Sequence, residues 1–338
     1  MTSPESTAIR VRGLRKAFGR KEALAGLDFA VPDGAVAGFL GPNGAGKTTT
    51  LRLLLGLAPA DTGEMEMLGE PMPGGRVPVL ERTGALVEKP SFLDHFSGFD
   101  NLWWFGSLNR PVTRERVGEV LGRVGLTEAA GQSFGTYSTG MKQRLGVAYA
   151  ILHRPRLLIL DEPTNGMDPQ GRVQMRDLLR EIHAAEGSTI FLSSHLLDEV
   201  QRLCDYVVIV DHGKTVREGY VGEILQSGQE TWEVRVADGQ QERAAGLLLA
   251  QPGVLSCRSG PRGLEIRLQP GQSAEVNRVL VGAGVPVVAL IPHEASLEET
   301  FIALTDTEGE TGHGNRPVPG AGVDSGAKAR PPEPGGRS

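Results

Sequence analysis

Gly41-Pro-Asn-Gly-Ala-Gly-Lys47-Thr48 is the stretch that most limits what this chain can fold into. It fits G-x-x-x-x-G-K-T, in which glycines let the backbone curl so that successive N–H groups point inward. Such a loop needs a strand before it and a helix after it. The sequence supplies both. Val36-Ala-Gly-Phe-Leu40 is an apolar run of buried-strand type, and Thr49 to Leu57 has the apolar face of a helix that ends near Gly56. Converging N–H groups and a helix N-terminus favour a phosphate. Lys47 is of the type that reaches β- and γ-phosphates, and Thr48 offers a hydroxyl to Mg²⁺. The candidate phosphate contacts are therefore Gly41, Pro42, Asn43, Gly44, Ala45, Gly46, Lys47, Thr48 and Thr49. With 46 glycines in the chain, such a turn can also arise by accident, so the remaining sequence has to decide.

A chain of 338 residues suggests about two domains. Its 39% apolar content is enough for ordinary cores, and its net charge of −6 gives no hint of a nucleic-acid face. No apolar run approaches the roughly eighteen residues of a membrane-spanning helix. Met1-Thr-Ser-Pro-Glu5 lacks the basic-then-apolar pattern of a secretory signal. Cys204 and Cys257 are too few and too far apart for a disulfide framework or a zinc site. The expectation is a soluble cytosolic protein whose membrane role, if it has one, runs through a partner.

Ile9/Val11, Leu27/Phe29/Val31 and Val36–Leu40 are expected strands, with Pro32-Asp33-Gly34 as the turn before the last. Phe18 falls in the loop between the first two, where it either packs locally or stacks on a purine ring. Pro59-Ala-Asp-Thr-Gly63 reads as a turn, and Gly84–Val87 as a short strand followed by Glu88. From 91 to 136 the strand signals vanish. Asn101–Leu108 and Thr113–Val124 have helical spacing, the second with Thr113 as its cap, so this reads as a helical insertion. Within it, Trp103-Trp104-Phe105 is either the core of the lobe or a surface of the aromatic kind that anchors partners. Neighbouring helical residues cannot all face one way, so at least one of the three is expected on the surface.

Tyr137-Ser-Thr-Gly-Met-Lys-Gln-Arg144 opens a helix to about Leu152, capped by Ser138 or Thr139. Such a start beside Gly140 is again of anion-binding type. Leu157-Leu-Ile-Leu160 then forms a fully buried strand with Asp161 and Glu162 at its C-terminal end. In open α/β sheets that is where ligands bind. Asp161 is the type of acid that holds Mg²⁺ in phosphate-loop enzymes. Glu162 is placed to polarise a water. Two merely solvated carboxylates are the plainer alternative, and the buried strand in front of them argues against it. Asp168-Pro169 starts a helix to about Ala185, with a capping acid and proline in the first turn. Thr189–Leu192 is another buried strand, and His195 follows at the same sheet edge as Asp161 and the phosphate loop. Tyr206–Val210 and Lys214–Val216 flank Asp211-His-Gly213 as a hairpin, and the first domain ends near Leu225.

From about 230 the pattern restarts without a nucleotide motif. Trp232/Val234/Val236, Gly253–Cys257, Leu264–Leu268 and Val285–Ile291 are expected strands, with helices at Gln240–Ala250 and Ser273–Val281. That order is βαββαβ, the ferredoxin-like arrangement. Ser296–Leu304 is expected to be a closing helix, and the Gly-, Pro- and charge-rich tail from Asp306 is expected to be disordered.

In their order along residues 8 to about 226, these motifs resemble the ATP-binding subunits of ABC transporters. Gly41–Thr48 resembles the Walker A loop, Ser138-Thr-Gly-Met141 the family signature and Leu157–Glu162 Walker B. Asn165-Gly-Met-Asp168 is similar to the D-loop and His195 to the switch histidine. The βαββαβ appendix and Ser296-Leu-Glu-Glu-Thr-Phe301 resemble the tail domain of many export subunits. Gly84-Ala-Leu-Val-Glu-Lys-Pro90 and Thr164-Asn-Gly-Met-Asp-Pro169 resemble the antibiotic-resistance group related to bacitracin and daunorubicin exporters. Two positions depart from the family pattern. Glu88 stands where the Q-loop glutamine is usual, and Tyr137-Ser-Thr-Gly-Met replaces Leu-Ser-Gly-Gly-Gln while keeping Ser138 and Gly140.

The resemblance implies an α/β P-loop NTPase cassette over 8–226, with a mixed sheet core and a helical subdomain at about 91–152. It implies a small α+β, ferredoxin-like accessory domain over 230–304 and a disordered tail over 306–338. ATP and Mg²⁺ are the implied cofactors. Two nucleotide domains would pair head to tail, each ATP lying between Lys47 of one and Ser138/Gly140 of the other. Phe18 would stack on adenine, and Thr48, Asp161 and Glu88 would hold Mg²⁺. Glu162 would be the general base, His195 would contact the γ-phosphate, and Asp168 would join the pair. The implied partners are an integral membrane permease, gripped by the lobe from Glu88 to Phe105, and a second copy or a different nucleotide domain. The place of action would be the cytoplasmic face of the cell membrane, with no nucleic acid involved. The rival is a non-transport ABC ATPase acting on ribosomes or nucleic acid. Only one Walker A is found here, the gap before the signature carries no sustained heptads, and the net charge is acidic, all of which disfavour it. A purely regulatory nucleotide module is a third reading, one that would have no need of Glu162.

Overall fold

The computed structural model describes residues 6–108, 110–225, 230–293, 296–298 and 300–301. The chain opens with β1 (Thr7–Phe18) and β2 (Lys21–Pro32), a long antiparallel hairpin. Both are longer than the apolar spacing suggested, because bulges along β1 shift the register and break its alternation. Phe18 is consequently the last residue of β1 and not a loop residue. Next come β3 (Val36–Leu40), buried at all five positions, and α1 (Lys47–Leu54). α1 stops at Leu54, and Leu57, expected inside it, is exposed.

β4 (Thr62–Met67), β5 (Glu70–Met72) and the short α2 (Arg76–Leu80) follow, none of them expected from the sequence. β4 begins inside the segment read as a turn. It alternates glutamate with methionine and buries Met65 and Met67, a strand pattern written in residues of weak strand preference. The parallel edge strand β6 (Thr83–Leu86) leads into the helical lobe.

The lobe consists of α3 (Gly98–Ser107), α4 (Arg114–Arg123) and α5 (Thr139–Ile151). Each has a hydroxyl cap: Ser97 accepts from Asp100 N at 3.0 Å, Thr113 from Arg116 N at 3.2 Å, and Ser138 from Met141 N at 3.3 Å. Asn101 is fully buried and fully used. Its amide nitrogen donates to Leu93 O, Phe96 O and Ser97 O, and its oxygen accepts from Leu93 N, which pins the loop in front of α3. The aromatic trio divides. Phe105 meets Phe92 edge-on at 5.7 Å, Trp103 lies under the Arg114 guanidinium at 4.9 Å, and Trp104 is 56% exposed.

His153 sits just beyond α5, its Nε2 3.1 Å from Gly106 O. Burial, with Arg110 and Arg116 nearby, holds its pKa below the ordinary histidine value. The folded lobe therefore favours the neutral ring. That contribution is present above about pH 6.5 and is lost as pH falls through the lowered folded value. Melting temperature should consequently drop more between pH 7 and pH 5 for the native chain than for His153→Gln, whose side chain does not titrate.

The second half of the cassette contains β7 (Leu157–Asp161), α6 (Pro169–Glu186), β8 (Thr189–Ser194) and α7 (Leu197–Leu203). It closes with β9 (Tyr206–Asp211), β10 (Lys214–Tyr220) and α8 (Val221–Leu225). The first sheet runs β2-β1-β4-β5 and is antiparallel throughout. The second runs β10-β9-β3-β8-β7-β6 and is parallel except at β10. One core lies between these sheets, where Phe29, Phe39 and Phe191 meet with ring centroids 5.2–5.7 Å apart. A second core, on the other side of the parallel sheet, joins it to α6, α7 and the helical lobe. The parallel strands end at the edge that carries the phosphate loop, so loop, Asp161 and Glu162 share one edge.

β11 (Glu230–Val236), α9 (Gln241–Leu249), β12 (Val254–Ser259), β13 (Leu264–Leu268), α10 (Ser273–Gly282) and β14 (Val287–His293) complete the described elements. They form a third sheet in the order β12-β13-β11-β14, antiparallel throughout, with its own core under α9 and α10. This is the ferredoxin-like order expected of βαββαβ. Beyond β14, Leu297 returns to the cassette. It is fully buried in the core that contains Val200, and its N–H donates to Gln201 Oε1 of α7 at 2.9 Å. Of the expected closing helix, residues 299 and 302–304 lie outside the described residues, as does the tail from Asp306.

Candidate nucleotide site

β3 feeds the glycine loop into a space that leaves no room for a side chain at Gly41 or Gly46. A Cβ on Gly41 would stand 2.3 Å from Val210 O, and one on Gly46 would stand 2.5 Å from Leu24 Cδ2 and 2.7 Å from Ala23 O. Gly44 and Gly46 also have φ of 90° and 102°, the left-handed region that glycine enters without strain. The loop is therefore clamped by the strands beside it, with α1 starting at Lys47. Lys47 is buried, and its ammonium donates to Gly41 O at 2.8 Å and Pro42 O at 3.3 Å.

Thr48 stands one step along α1, and its hydroxyl donates to Asp161 Oδ2 at 2.8 Å. The other oxygen of Asp161 accepts from Ser193 Oγ at 2.5 Å. Ser193 reaches it because β7 and β8 are parallel with Asp161 and Ser193 in register. Glu162 then leaves the strand with φ of 48°, a left-handed conformation that costs a non-glycine residue about 1–3 kcal/mol. Ser193 holds this turn, as the Glu162 N–H lies 3.0 Å from its hydroxyl and 3.2 Å from its carbonyl. The Glu162 carboxylate faces His195 Nδ1 at 2.6 Å and Lys47 Nζ at 3.6 Å.

These residues border a cleft of about 250 Å³ lined by Phe18, Lys21, Ala23, Asn43, Gly44, Gly46, Lys47, Thr48, Thr49 and Glu162. Phe18 is half exposed at its mouth with Lys16 Nζ 5.4 Å above the ring, which leaves an aromatic face open to a planar base. Gly41, Pro42 and Ala45 belong to the loop but do not line the cleft. Among the described residues no cluster of three or more His, Cys, Asp or Glu could hold a metal unaided. Thr48 and Asp161 instead offer the oxygen donors suited to a hard divalent cation that takes its remaining ligands from phosphate and water.

Ser138, Gly140 and Asp168 do not join this cleft. They line a separate groove of about 430 Å³ between the starts of α5 and α6, together with Gly166 and Gln174. A Cβ on Gly140 would meet nothing within 4 Å, and Asp168 caps α6 by accepting from Gly171 N at 2.7 Å. Glu88 also stands apart: its exposed carboxylate pairs with Arg52 of α1, and its φ is 66°. Ser193, which contacts both Asp161 and Glu162, is the residue of this site that sequence reasoning passed over. The signal for it was a hydroxyl at the C-terminal end of the buried strand next to the one carrying Asp161.

The sequence model of the ABC transporter family matches residues 24–165. The uncharacterized ABC transporter ATP-binding protein YdbJ of Bacillus subtilis is 38% identical over 305 residues, covering 90% of this chain and 97% of its own length. The bacitracin transport ATP-binding protein BcrA of Bacillus licheniformis is 36% identical over 88% of this chain and 97% of its own. The daunorubicin/doxorubicin resistance ATP-binding protein DrrA of Streptomyces peucetius is 36% identical over 90% and 94%. Among solved structures, cbiO1 of Clostridium perfringens, part of the ABC transporter complex cbiONQ, superposes with a TM-score of 0.60 at 26% identity, covering 73% of this chain and 97% of that one. The ATP-binding cassette MJ0796, solved as a dimer bound to ADP and Pi, gives 0.57 at 18% identity over 63% and 98%. With a phosphate loop, a paired acid and a strained glutamate on one sheet edge, and relatives at 36–38% identity over about nine-tenths of the chain, the chain belongs to the ATP-binding subunits of ABC transporters and is an ATPase.

Proposed function

We propose that this ATPase drives a separate integral membrane permease that exports a drug- or antibiotic-like molecule, acting at the cytoplasmic face of the membrane. The observation that carries the reading is the reach of the similarity. Relatives named for bacitracin transport and for daunorubicin resistance match at least 88% of this chain, so the third sheet is included as well as the cassette. No helix among the described residues is long and apolar enough to cross a membrane, so the route across it belongs to the partner. Residues 8–226 serve as the ATP-binding domain, with the helical subdomain at about 91–152, and 230–304 as an accessory domain. The third sheet has a core of its own, which supports that division, although Leu297 of the accessory stretch packs into the cassette core.

Within the site, the loop from Gly41 to Thr49 binds the triphosphate and Phe18 stacks on the base. Thr48 and Asp161 hold Mg²⁺, which when bound neutralises charge on the phosphates. Glu88 is also assigned to that ion and has to leave Arg52 to reach it. Glu162 accepts a proton from the attacking water, and His195 orients that carboxylate and contacts the γ-phosphate. The proton goes to Glu162, while the γ-phosphoryl passes to water and ADP leaves. Ser138 and Gly140 lie in a groove apart from the cleft, which supports a site completed by a second chain across a head-to-tail pair. Asp168, in that same groove, joins the two chains. Trp104, exposed on α3, supports the helical lobe as the surface that meets the permease.

The test is purification of Glu162→Gln from gently solubilised native membranes in the presence of ATP. A polytopic membrane protein in the complex is the expected result. Recovery of ribosomes, or of the chain alone in the soluble fraction, would overturn the transport reading.

A further inference from the structure

One half-buried acid near that edge has no part in that scheme. Glu199 lies in the first turn of α7, four residues after His195, with its side chain only 14% exposed. Its Oε2 accepts from Thr164 Oγ1 at 2.7 Å, and its Oε1 lies 3.5 Å from Arg172 Nη1 of α6. Thr164 is two residues beyond Glu162. Arg172 is four residues beyond Asp168, and its N–H donates to Asp168 O at 3.0 Å. A single carboxylate thus touches the loop that carries Glu162, the helix that Asp168 caps and the helix that follows His195. Arg176 lines the same pocket with Pro163 and Ser194, which puts a second guanidinium near this acid.

We propose that Glu199, acting through Thr164, is a positioning residue for ATP hydrolysis. It holds the loop after Glu162 against the helix after His195, and so sets the 2.6 Å contact between Glu162 and His195. The need for such a tie follows from the strain. Glu162 has φ of 48°, and such a conformation persists only where its surroundings over-determine it. Ser193 fixes the amide of Glu162, and two turns fix the loop's shape, Asn165 N to Glu162 O at 3.0 Å and Met167 N to Thr164 O at 3.2 Å. Neither turn attaches the loop to the histidine side. Glu199 does, because α7 begins just after His195 and is seated by fully buried Val200. An unpaired, mostly buried carboxylate would be costly, so the acid holds Thr164 and Arg172 together in both senses.

The inference rests on the assignment of Glu162 and His195 above, and its test separates the two. Thr164→Val keeps side-chain volume and removes the hydroxyl, Thr164→Ser keeps the hydroxyl, and Glu199→Gln keeps an acceptor oxygen. ATP hydrolysis and binding of a fluorescent ATP analogue are measured on the full chain in the form purified from membranes. Thr164→Val is expected to lower kcat about tenfold to a hundredfold, the scale of a small misplacement of reacting groups, with nucleotide affinity within about twofold of the native chain. Thr164→Ser and Glu199→Gln should recover most of that loss. Turnover of Thr164→Val within about twofold of native, while Glu162→Gln is inactive, would overturn the positioning role alone. So would a parallel fall in kcat, nucleotide affinity and melting temperature, since that marks a purely structural tie. Normal turnover in Glu162→Gln would instead remove the assignment on which the inference stands.

Discussion

Glu162→Gln is expected to leave ATP binding intact and to lower turnover by about two orders of magnitude or more. The substitution is nearly isosteric. Its amide oxygen can still accept from His195, which meets the native carboxylate at 2.6 Å, so the loop has no reason to move. What it cannot do is take a proton from water at neutral pH. Binding should survive because, in the proposed site, most phosphate contacts would come from the loop's backbone and from Lys47, whose ammonium donates to Gly41 O and Pro42 O. Phosphate release under multiple turnover, set beside affinity for a fluorescent ATP analogue, checks both halves. Turnover close to native would strip Glu162 of the base role. Weakened binding would mean that the lost charge, 3.6 Å from Lys47 Nζ, had been holding the lysine in place.

Phe39→Ala is the substitution expected to cost most in stability, about 3–5 kcal/mol. Phe39 is fully buried, next to last in β3, with its ring 5.3 Å from that of Phe29 and 5.2 Å from that of Phe191. The three rings come from different strands in two sheets. Truncating one opens a cavity that neither sheet can close without giving up its own hydrogen-bonded register. A domain of ordinary stability has about 5–15 kcal/mol in all, so much of the margin goes. Urea unfolding reads the loss directly as a lower midpoint at unchanged slope. Since β3 also delivers Gly41, nucleotide affinity should weaken by the unfolded fraction, and added ATP should restore part of the midpoint. A cost below about 1 kcal/mol would show that the sheets collapse onto the gap.

The parts of this molecule legible in the sequence are those where one residue type has one physical use. Val36–Leu40 and Leu157–Leu160 are unbroken apolar runs because both faces of a parallel sheet are covered, and both are buried throughout. Thr113 and Asp168 cap helices because their oxygens reach an amide three residues on. The order of the motifs was enough to predict the cassette. What stayed hidden was set by neighbours distant in sequence. β4 escaped because Met65 and Met67 do not look like strand residues until a sheet lies beneath them. Ser193 gained its role from lying beside Asp161 across two strands. Glu88 reads as a cation ligand by position, yet in the fold its carboxylate rests on Arg52. Spacing also could not reveal that Ser138 and Lys47 border different clefts, because that depends on how the lobe sits on the sheets.

Leu297 changes how the third sheet should be pictured mechanically. The unit is joined to the cassette by the chain after α8, and it is joined again where Leu297 enters the core beside Val200. A body held at one point swings like a pendant, whereas a body held at two is a handle. Two attachments leave it fewer ways to move than one would. The chain between them also keeps the second contact at high local concentration, so that contact re-forms quickly whenever it opens. A single cut within the third sheet would therefore leave both pieces attached to the cassette, one by the peptide chain and the other by the buried leucine. Any push on that sheet from outside would arrive at α7, the helix that leads directly away from His195.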